Sequence, residues 1–311
     1  MLITPINHLS TAENLQEFIN DGVDEFYMGY MPKEWYQTYG WEISTNRRFF
    51  PVIPHIIEPA RAKNLISFIH EKKKKIFLAL NEHYYTEKQY SLLFKIIDLF
   101  EDLGIDGYII SDLALILAMR HRGITSDIHL STCAGCYNLS AISFYRQFGI
   151  SRFTLPRKLS INEIVYFLDN TPDEVRFEVF LMGEWCKFGD AFCFSSHGFN
   201  REHFCSTPFK RYLIDKNGSL AGKPNILSSN PTPWCGLCLI PELKKYHKRI
   251  TFKLPIRSTG CPGLESKTLI KKVTKLLKQK TINPKQCKEV IGDACQRALA
   301  CAYQLNPKKK R

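Results

Sequence analysis

The chain has 311 residues, 44% of them apolar, with a formal net charge of +13 and eleven cysteines. That is enough chain to bury a full core as one large domain, or one with a small appendage. No segment approaches the roughly 20 uninterrupted apolar residues of a membrane span, and Met1 to Ile6 carry no basic stretch ahead of a long apolar run, so a cytoplasmic protein without a transmembrane segment is expected.

Short apolar runs of strand character alternate with stretches of helical period, the pattern of repeated βα units. The strands are expected at Leu2 to Ile6, Glu25 to Gly29, Ile76 to Leu80, Gly107 to Ser111, Asp127 to Ser131, Arg152 to Leu155, Arg176 to Met182 and Ile250 to Lys253. Eight such strands suggest closure into an α/β fold of the (β/α)8 TIM-barrel type. Ser10 with Glu13 reads as a capping box ahead of Leu15 and Phe18, Thr86 opens the run Tyr90, Leu93, Phe94 and Ile97, and Ser160 with Glu163 repeats the box before Ile164 and Phe167.

In a (β/α)8 barrel, polar residues at the C-terminal ends of the strands face one shared mouth, where chemistry in this architecture is located. That places Asn81, Glu82 and His83 after the third strand, Asp112 after the fourth, and His129, Ser131 and Thr132 at the fifth. His129 and Asp112 suit acid-base chemistry, although a strand-end histidine is equally a satisfied core residue. From Gly183 to about Pro241 the rhythm breaks into a segment rich in Gly, Ser, Pro and Cys, with enough Trp and Phe to argue against disorder. It reads as an ordered loop organised by a metal centre. The domain reading is a barrel over 1–262 containing the cysteine-rich insertion 183–241, followed by C-terminal helices and a basic tail over 263–311.

Eleven cysteines in a reducing compartment are shared between metal ligation and buried thiols. Several thiolates brought together hold a soft metal or an iron-sulfur cluster. Cys235-x-x-Cys238 alone suits a zinc site, with Cys133 and Cys136 as a second pair. Cys261, Cys287, Cys295 and Cys301 read as packed thiols, three of them on an apolar C-terminal helix. The lysines at 72–75, along 271–280 and in the tail Lys308 to Arg311 would attract RNA or anionic headgroups by counterion release, while solvated helix faces explain the same runs.

The run Glu178-Val-Phe-Leu-Met-Gly-Glu-Trp-Cys186, followed after six residues by Cys193-Phe-Ser, resembles the signature of the peptidase U32 family, historically called collagenase-like peptidases. The likeness continues collinearly in Gly22 to Gly29, Gly104 to Gly107 with Ser111-Asp112, Ile128 to Thr132 with Asn138, Leu155 to Ser160, and Leu237 to Leu243. The resemblance implies a barrel-like fold and a 4Fe-4S cluster on Cys186, Cys193, Cys205 and Cys238. It also implies a part in oxygen-independent hydroxylation of a tRNA uridine, a ribosomal RNA cytidine or a ubiquinone precursor, with prephenate as oxygen source. Lys253 and Arg257 keep the cationic character that such a dicarboxylate needs. Asn81 and His129 would position donor and acceptor beside Ser131 and Thr132.

Four departures from the family pattern stand out. Cys133 replaces a glutamine, Met182 a histidine and Gly236 an aspartate, and the motif after the last strand reads Lys253-Leu-Pro-Ile-Arg257. Two other readings accompany the hydroxylation reading. One is a U32 peptidase, although the chain has no His-Glu-x-x-His helix and no Gly-x-Ser-x-Gly elbow. The other is a non-catalytic iron-sulfur subunit paired with a second U32-type chain.

Overall fold

Strand and helix alternate from the first residues onward because apolar β-formers are followed by amphipathic runs that carry caps. The computed structural model describes residues 1–7, 9–40, 43–47, 55–186, 189–193, 209–227, 232–255, 266–292 and 300–301. In chain order the elements begin β1 (Leu2–Pro5), α1 (Ala12–Asp21), β2 (Glu25–Tyr30), α2 (Lys33–Tyr39), β3 (His55–Ile56), α3 (Pro59–Glu71), β4 (Lys75–Leu80), α4 (Glu87–Asp102), β5 (Gly107–Ile110) and α5 (Leu113–His121). They continue with β6 (Asp127–Leu130), α6 (Leu139–Arg146), β7 (Arg152–Thr154), α7 (Ile161–Asp169), β8 (Arg176–Phe180), β9 (Met182–Trp185), β10 (Phe209–Ile214), β11 (Leu220–Leu227), β12 (Thr232–Cys235), α8 (Ile240–Leu243), β13 (Ile250–Lys253), α9 (Ser266–Lys278), α10 (Pro284–Ile291) and β14 (Ala300–Cys301).

Eight parallel strands close on themselves in the order β1-β2-β4-β5-β6-β7-β8-β13, the ring being sealed where Ile3 lies beside Glu25 on one side and Leu2 beside Phe252 on the other. All eight strands expected from the sequence are present, so the TIM-barrel-like α/β reading holds. β3 adds a two-residue parallel pairing to the end of β2. Gly107 is needed where β5 begins, because its φ is +153° and a Cβ there would stand 2.3 Å from the Asp127 carbonyl of β6.

Two buried layers result. Between barrel and helices lies a continuous apolar layer including Phe26, Leu78, Phe100, Tyr108, Phe153 and Phe177. Each such side chain contributes about 1.5–3 kcal/mol by leaving water. Inside the barrel the apolar cluster among the described residues is Ile3, Tyr27, Phe77, Ala79 and Ile109. Strand parity puts Glu25, His129, Arg152, Thr154, Glu178 and Lys253 at further inward positions.

The caps follow the sequence with one shift. Thr86 and Gln89 form a capping box at α4, as do Ser160 and Glu163 at α7. At α1, however, Thr11 caps by accepting from the Asn14 N–H at 3.3 Å, while Ser10 Oγ accepts from the Asn7 N–H. The helix therefore starts one residue later than the Ser10–Glu13 spacing predicts.

The cysteine-rich insertion is not a plain loop. Antiparallel β10 and β11 form a hairpin, and β9, β12 and β14 form a small three-stranded sheet. The C-terminal helices pack on the body. α9 buries Leu269, Ile270, Val273 and Leu276 and lies along α1, and α10 packs against α9 and the short 3-10 turn Leu237–Leu239. Cys301, expected on a helix, lies on strand β14 because its backbone pairs with β12.

Candidate functional site at the barrel mouth

The mouth is assembled by the turns that leave β4, β6, β7 and β9. Asn81 follows β4, and its Oδ1 accepts the Arg47 N–H at 3.2 Å while its Nδ2 donates to Ser131 Oγ at 3.2 Å. Ser131 Oγ also accepts from the Cys133 N–H at 3.3 Å, starting the 3-10 turn Thr132–Ala134. Thr132 Oγ1 donates to Asp190 Oδ2 at 3.1 Å, Arg157 Nη1 donates to Asp190 Oδ1 at 2.8 Å, and His83 Nε2 donates to the Asp190 carbonyl at 2.7 Å. Asp190, carried by the insertion, thus ties three barrel turns together.

Arg47 brings a second cation to this mouth. It faces Glu82 at 3.4 Å and hydrogen-bonds the Cys193 thiol. Burial alone would lower the Arg47 pKa, but Glu82, Cys133 and Cys193 together outweigh it and the guanidinium is held above its ordinary value. Glu82 behaves oppositely. Its burial exceeds what one 3.4 Å contact returns, so its carboxyl is pushed up. Burial also lowers His83, with Arg47 adding to the effect.

Below the mouth the inward positions of five strands hold a buried charge network. Arg152 of β7 donates Nη1 to Glu25 Oε1 at 3.0 Å and faces Glu178 Oε1 with Nε at 2.9 Å. Lys253 Nζ lies 2.7 Å from Glu178 Oε2, which also accepts from Thr154 Oγ1 at 3.0 Å. His129 Nδ1 stands 3.1 Å from Glu178 Oε1, and its ring packs on Phe77 with centroids 4.1 Å apart. Burial raises Glu178, but Lys253 and Arg152 overcome it and hold the carboxylate well below its ordinary range. His129 is pushed down to about 4 by burial and then by Arg152, so at neutral pH it is uncharged. Two positive and two negative side chains balance with the histidine neutral. Phe180 joins the layers, with the Arg157 guanidinium 3.8 Å from its ring and Lys253 Nζ at 5.9 Å.

The structure therefore distributes the residues singled out in the sequence. Asn81, Ser131 and Thr132 share the mouth. Asp112 is occupied in holding backbone, accepting from the N–H groups of Ala114 at 2.9 Å and Tyr85 at 3.1 Å and from the Tyr90 hydroxyl at 3.3 Å. His129 and Lys253 belong to the interior network, both almost fully buried. Arg257 and Cys205 lie outside the described residues. Sequence reading passed over Arg47, Asp190, Arg152 and Glu25. Arg152 and Glu25 were findable, since a charge opening a strand at an inward-facing position needs a partner across the barrel.

The cysteines fall into separate neighbourhoods. Cys193 is buried against Arg47, with Cys133 nearby, and Cys186 lies within electrostatic reach of the Tyr137 hydroxyl. Cys287 instead meets Cys238 and lies within electrostatic reach of Cys235. Among the described residues no three His, Cys, Asp or Glu side chains are grouped so as to hold a metal ion. Cys205, the remaining cysteine of the expected ligand set, lies outside the described residues, and no chemical step is derived through a cluster.

No helix among the described residues is long and apolar enough to cross a membrane. The chain is similar to the tRNA hydroxylation protein P of Haemophilus influenzae, 31% identical over 142 residues, which are 46% of this chain and 30% of that protein. It is 33% identical over 100 residues to the protein of that name from Escherichia coli, which are 32% of this chain and 22% of that protein. The matched segments thus span less than a third of either relative. Among solved structures, the U32 peptidase Mk0906 has the same fold, with a TM-score of 0.50 and 11% identity over 83% of this chain and 94% of that one. A match to the profile of peptidase family U32 runs from residue 10 to residue 256, across the closed barrel, its mouth and the cysteine-bearing insertion, and on that evidence the chain belongs to peptidase family U32.

Proposed function

We propose that this chain takes part in oxygen-independent hydroxylation of a tRNA nucleoside in the cytoplasm. The observation that carries the reading is its likeness, at 31% and 33% identity, to two proteins named for tRNA hydroxylation. The site adds chemical support. Arg47 and Arg157 stand at the mouth, where an acidic oxygen donor such as prephenate would meet them, and Asn81, Ser131, Thr132 and His83 supply polar contacts around the same opening. A carboxylate entering there would share guanidinium groups now engaged by Asp190 and Glu82. Lys253 lies deeper and spends its charge on Glu178, so its part in the reaction is to hold the floor of the site.

Hydrolysis of peptides has weaker support. Burial pushes the Cys133 thiol up to about 12, leaving it protonated at neutral pH, which is the reverse of what a cysteine nucleophile requires.

The test is mass spectrometry of nucleosides from tRNA of a host lacking its own hydroxylation activity, with and without this chain. A new hydroxylated uridine, diminished at least tenfold in Arg157→Gln, is the expected outcome. Folded, abundant protein with unmodified tRNA would sink the catalytic reading. Product formed only after co-expression with a second U32-type chain would establish the paired-subunit form.

A further inference from the structure

The C-terminal helices carry a charge pattern that the barrel does not share. α9 repeats lysine at Lys267, Lys271, Lys275 and Lys278, steps of four, four and three residues that line one side of a helix. All four are exposed, while Leu269, Ile270, Val273 and Leu276 are buried against the body. The stripe therefore looks outward, with one ammonium about every 5–6 Å along the helix axis.

α9 runs alongside α1 and in the same direction. Ile270 shares a cleft with Thr4, Pro5 and Asn7 at the mouth end of β1. A Cβ on Gly22, where α1 ends at the opposite rim, would meet Thr274 at 3.6 Å and Lys278 at 3.7 Å. The stripe thus descends from the mouth side of the barrel to its far end. Two further segments widen it there. Lys244 Nζ donates to the Gln279 carbonyl just after α9, which brings the exposed Lys245 and Lys248 alongside. Gln286 Nε2 donates to Gln279 Oε1 at 2.8 Å, which brings Lys285 and Lys288 of α10 to the same end.

Solvated helix faces ordinarily interleave both signs of charge. Here Glu17 takes up Lys267 at 2.5 Å, and among the described residues no carboxylate pairs with Lys271, Lys275, Lys278, Lys245 or Lys248. An anionic membrane is a poor match, because the apolar side of α9 that an interfacial helix would insert is already buried against the barrel. A chain of phosphates is a good one, since a line of unpaired ammonium groups displaces its condensed counterions. The family profile ends at residue 256, ahead of both helices, so this surface lies beyond the matched barrel.

We propose that the outward face of α9, widened by Lys245 and Lys248, docks the phosphate backbone of the RNA whose nucleoside is presented to the mouth. The identity of that RNA rests on the tRNA hydroxylation reading, whereas the anion chemistry rests on the lysines alone.

The full chain would be titrated into fluorescent unmodified tRNA at a series of potassium chloride concentrations. Beside it would stand the triple variant Lys271→Glu, Lys275→Glu, Lys278→Glu and a control, Lys63→Glu, Lys216→Glu, Lys223→Glu, which changes the net charge equally at exposed positions elsewhere. The expected result is binding at least about tenfold weaker in the α9 variant, the slope of log Kd against log salt being shallower by about two to three, with near-parental binding in the control. Arginine at the same three α9 positions should keep parental binding and shows that the helix tolerates substitution there. Equal weakening in both glutamate variants would reduce the effect to net charge and overturn the proposal, as would parental binding in the α9 variant or a parent that does not bind tRNA. Capture of phosphatidylserine vesicles but not tRNA through these lysines would overturn it in favour of a membrane surface. Nucleoside analysis separates the two ideas. Stripe-dependent binding of tRNA that stays unmodified removes the hydroxylation reading and leaves the docking surface standing, whereas full modification by the α9 variant overturns the docking surface alone.

Discussion

The two buried layers of this barrel are built on opposite physics. The layer between strands and helices is apolar throughout, so its cohesion is non-directional and scales with area removed from water. The space inside the strands is partly ionic, with Glu25, Arg152, Glu178, Lys253 and His129 facing one another beside the small apolar cluster of Ile3, Tyr27, Phe77, Ala79 and Ile109. A buried ion pair adds little net stability over a well-packed apolar pair, but removing one partner strands the other in a low-dielectric interior. The outer layer should therefore yield gradually to substitution, and the inner one abruptly.

The sharpest way to break this contrast is Arg152→Ala, which takes from Glu25 its guanidinium partner and leaves Glu178 with Lys253 as its remaining cation. A loss of about 3–5 kcal/mol is expected in urea unfolding, and a loss below about 1 kcal/mol would show that water enters the barrel and screens the charges.

Next in size is a pH effect localised to the interior. The folded chain holds His129 at about 4 against an ordinary 6.5, so between these values the unfolded chain binds more protons and stability rises with pH. Glu178, held low, works in the same sense, its contribution being lost as pH falls below the ordinary carboxylate value of 4.5. Taking the parent from pH 7 to pH 4.5 should cost up to about 3 kcal/mol through His129, and His129→Phe should flatten that part of the profile. An unchanged slope in His129→Phe would assign the acid sensitivity to other groups.

The smallest effect belongs to the outer layer. Ile128→Val removes one methylene from the buried face of β6 and should cost about 0.5–1.5 kcal/mol, with the same value at pH 7 and pH 4.5 because no charge is involved. A pH-dependent difference would mean that the two layers are coupled through the strand.

Much of the fold was legible in the chain itself. Eight strand runs and the caps at Thr86 and Ser160 depend on residues near in sequence, and strand parity and side-chain hydrogen bonding to the next turn are local properties. The Ser10 cap slipped by one because Thr11, equally able to cap, lies next to it. The strands of the insertion were hidden because β9 and β12 contain Gly, Trp, Pro and Cys rather than an alternating apolar pattern, and their pairing joins residues about fifty positions apart.

At the site, Asn81, Ser131 and Thr132 were readable as strand-end polar residues of a barrel. Arg47 and Asp190 were not, since both reach the mouth from irregular segments whose course is set by contacts with distant turns. Composition and periodicity determined by themselves that the chain would close eight strands under a coat of helices, because burial of alternating apolar faces leaves few other solutions. Only the tertiary structure decided which charges neutralise each other inside the ring and that Cys238 lies beside Cys287. Hydrophobic pattern is read along the chain, whereas ion pairing and thiol contact depend on distances of a few ångströms between residues that the sequence leaves far apart.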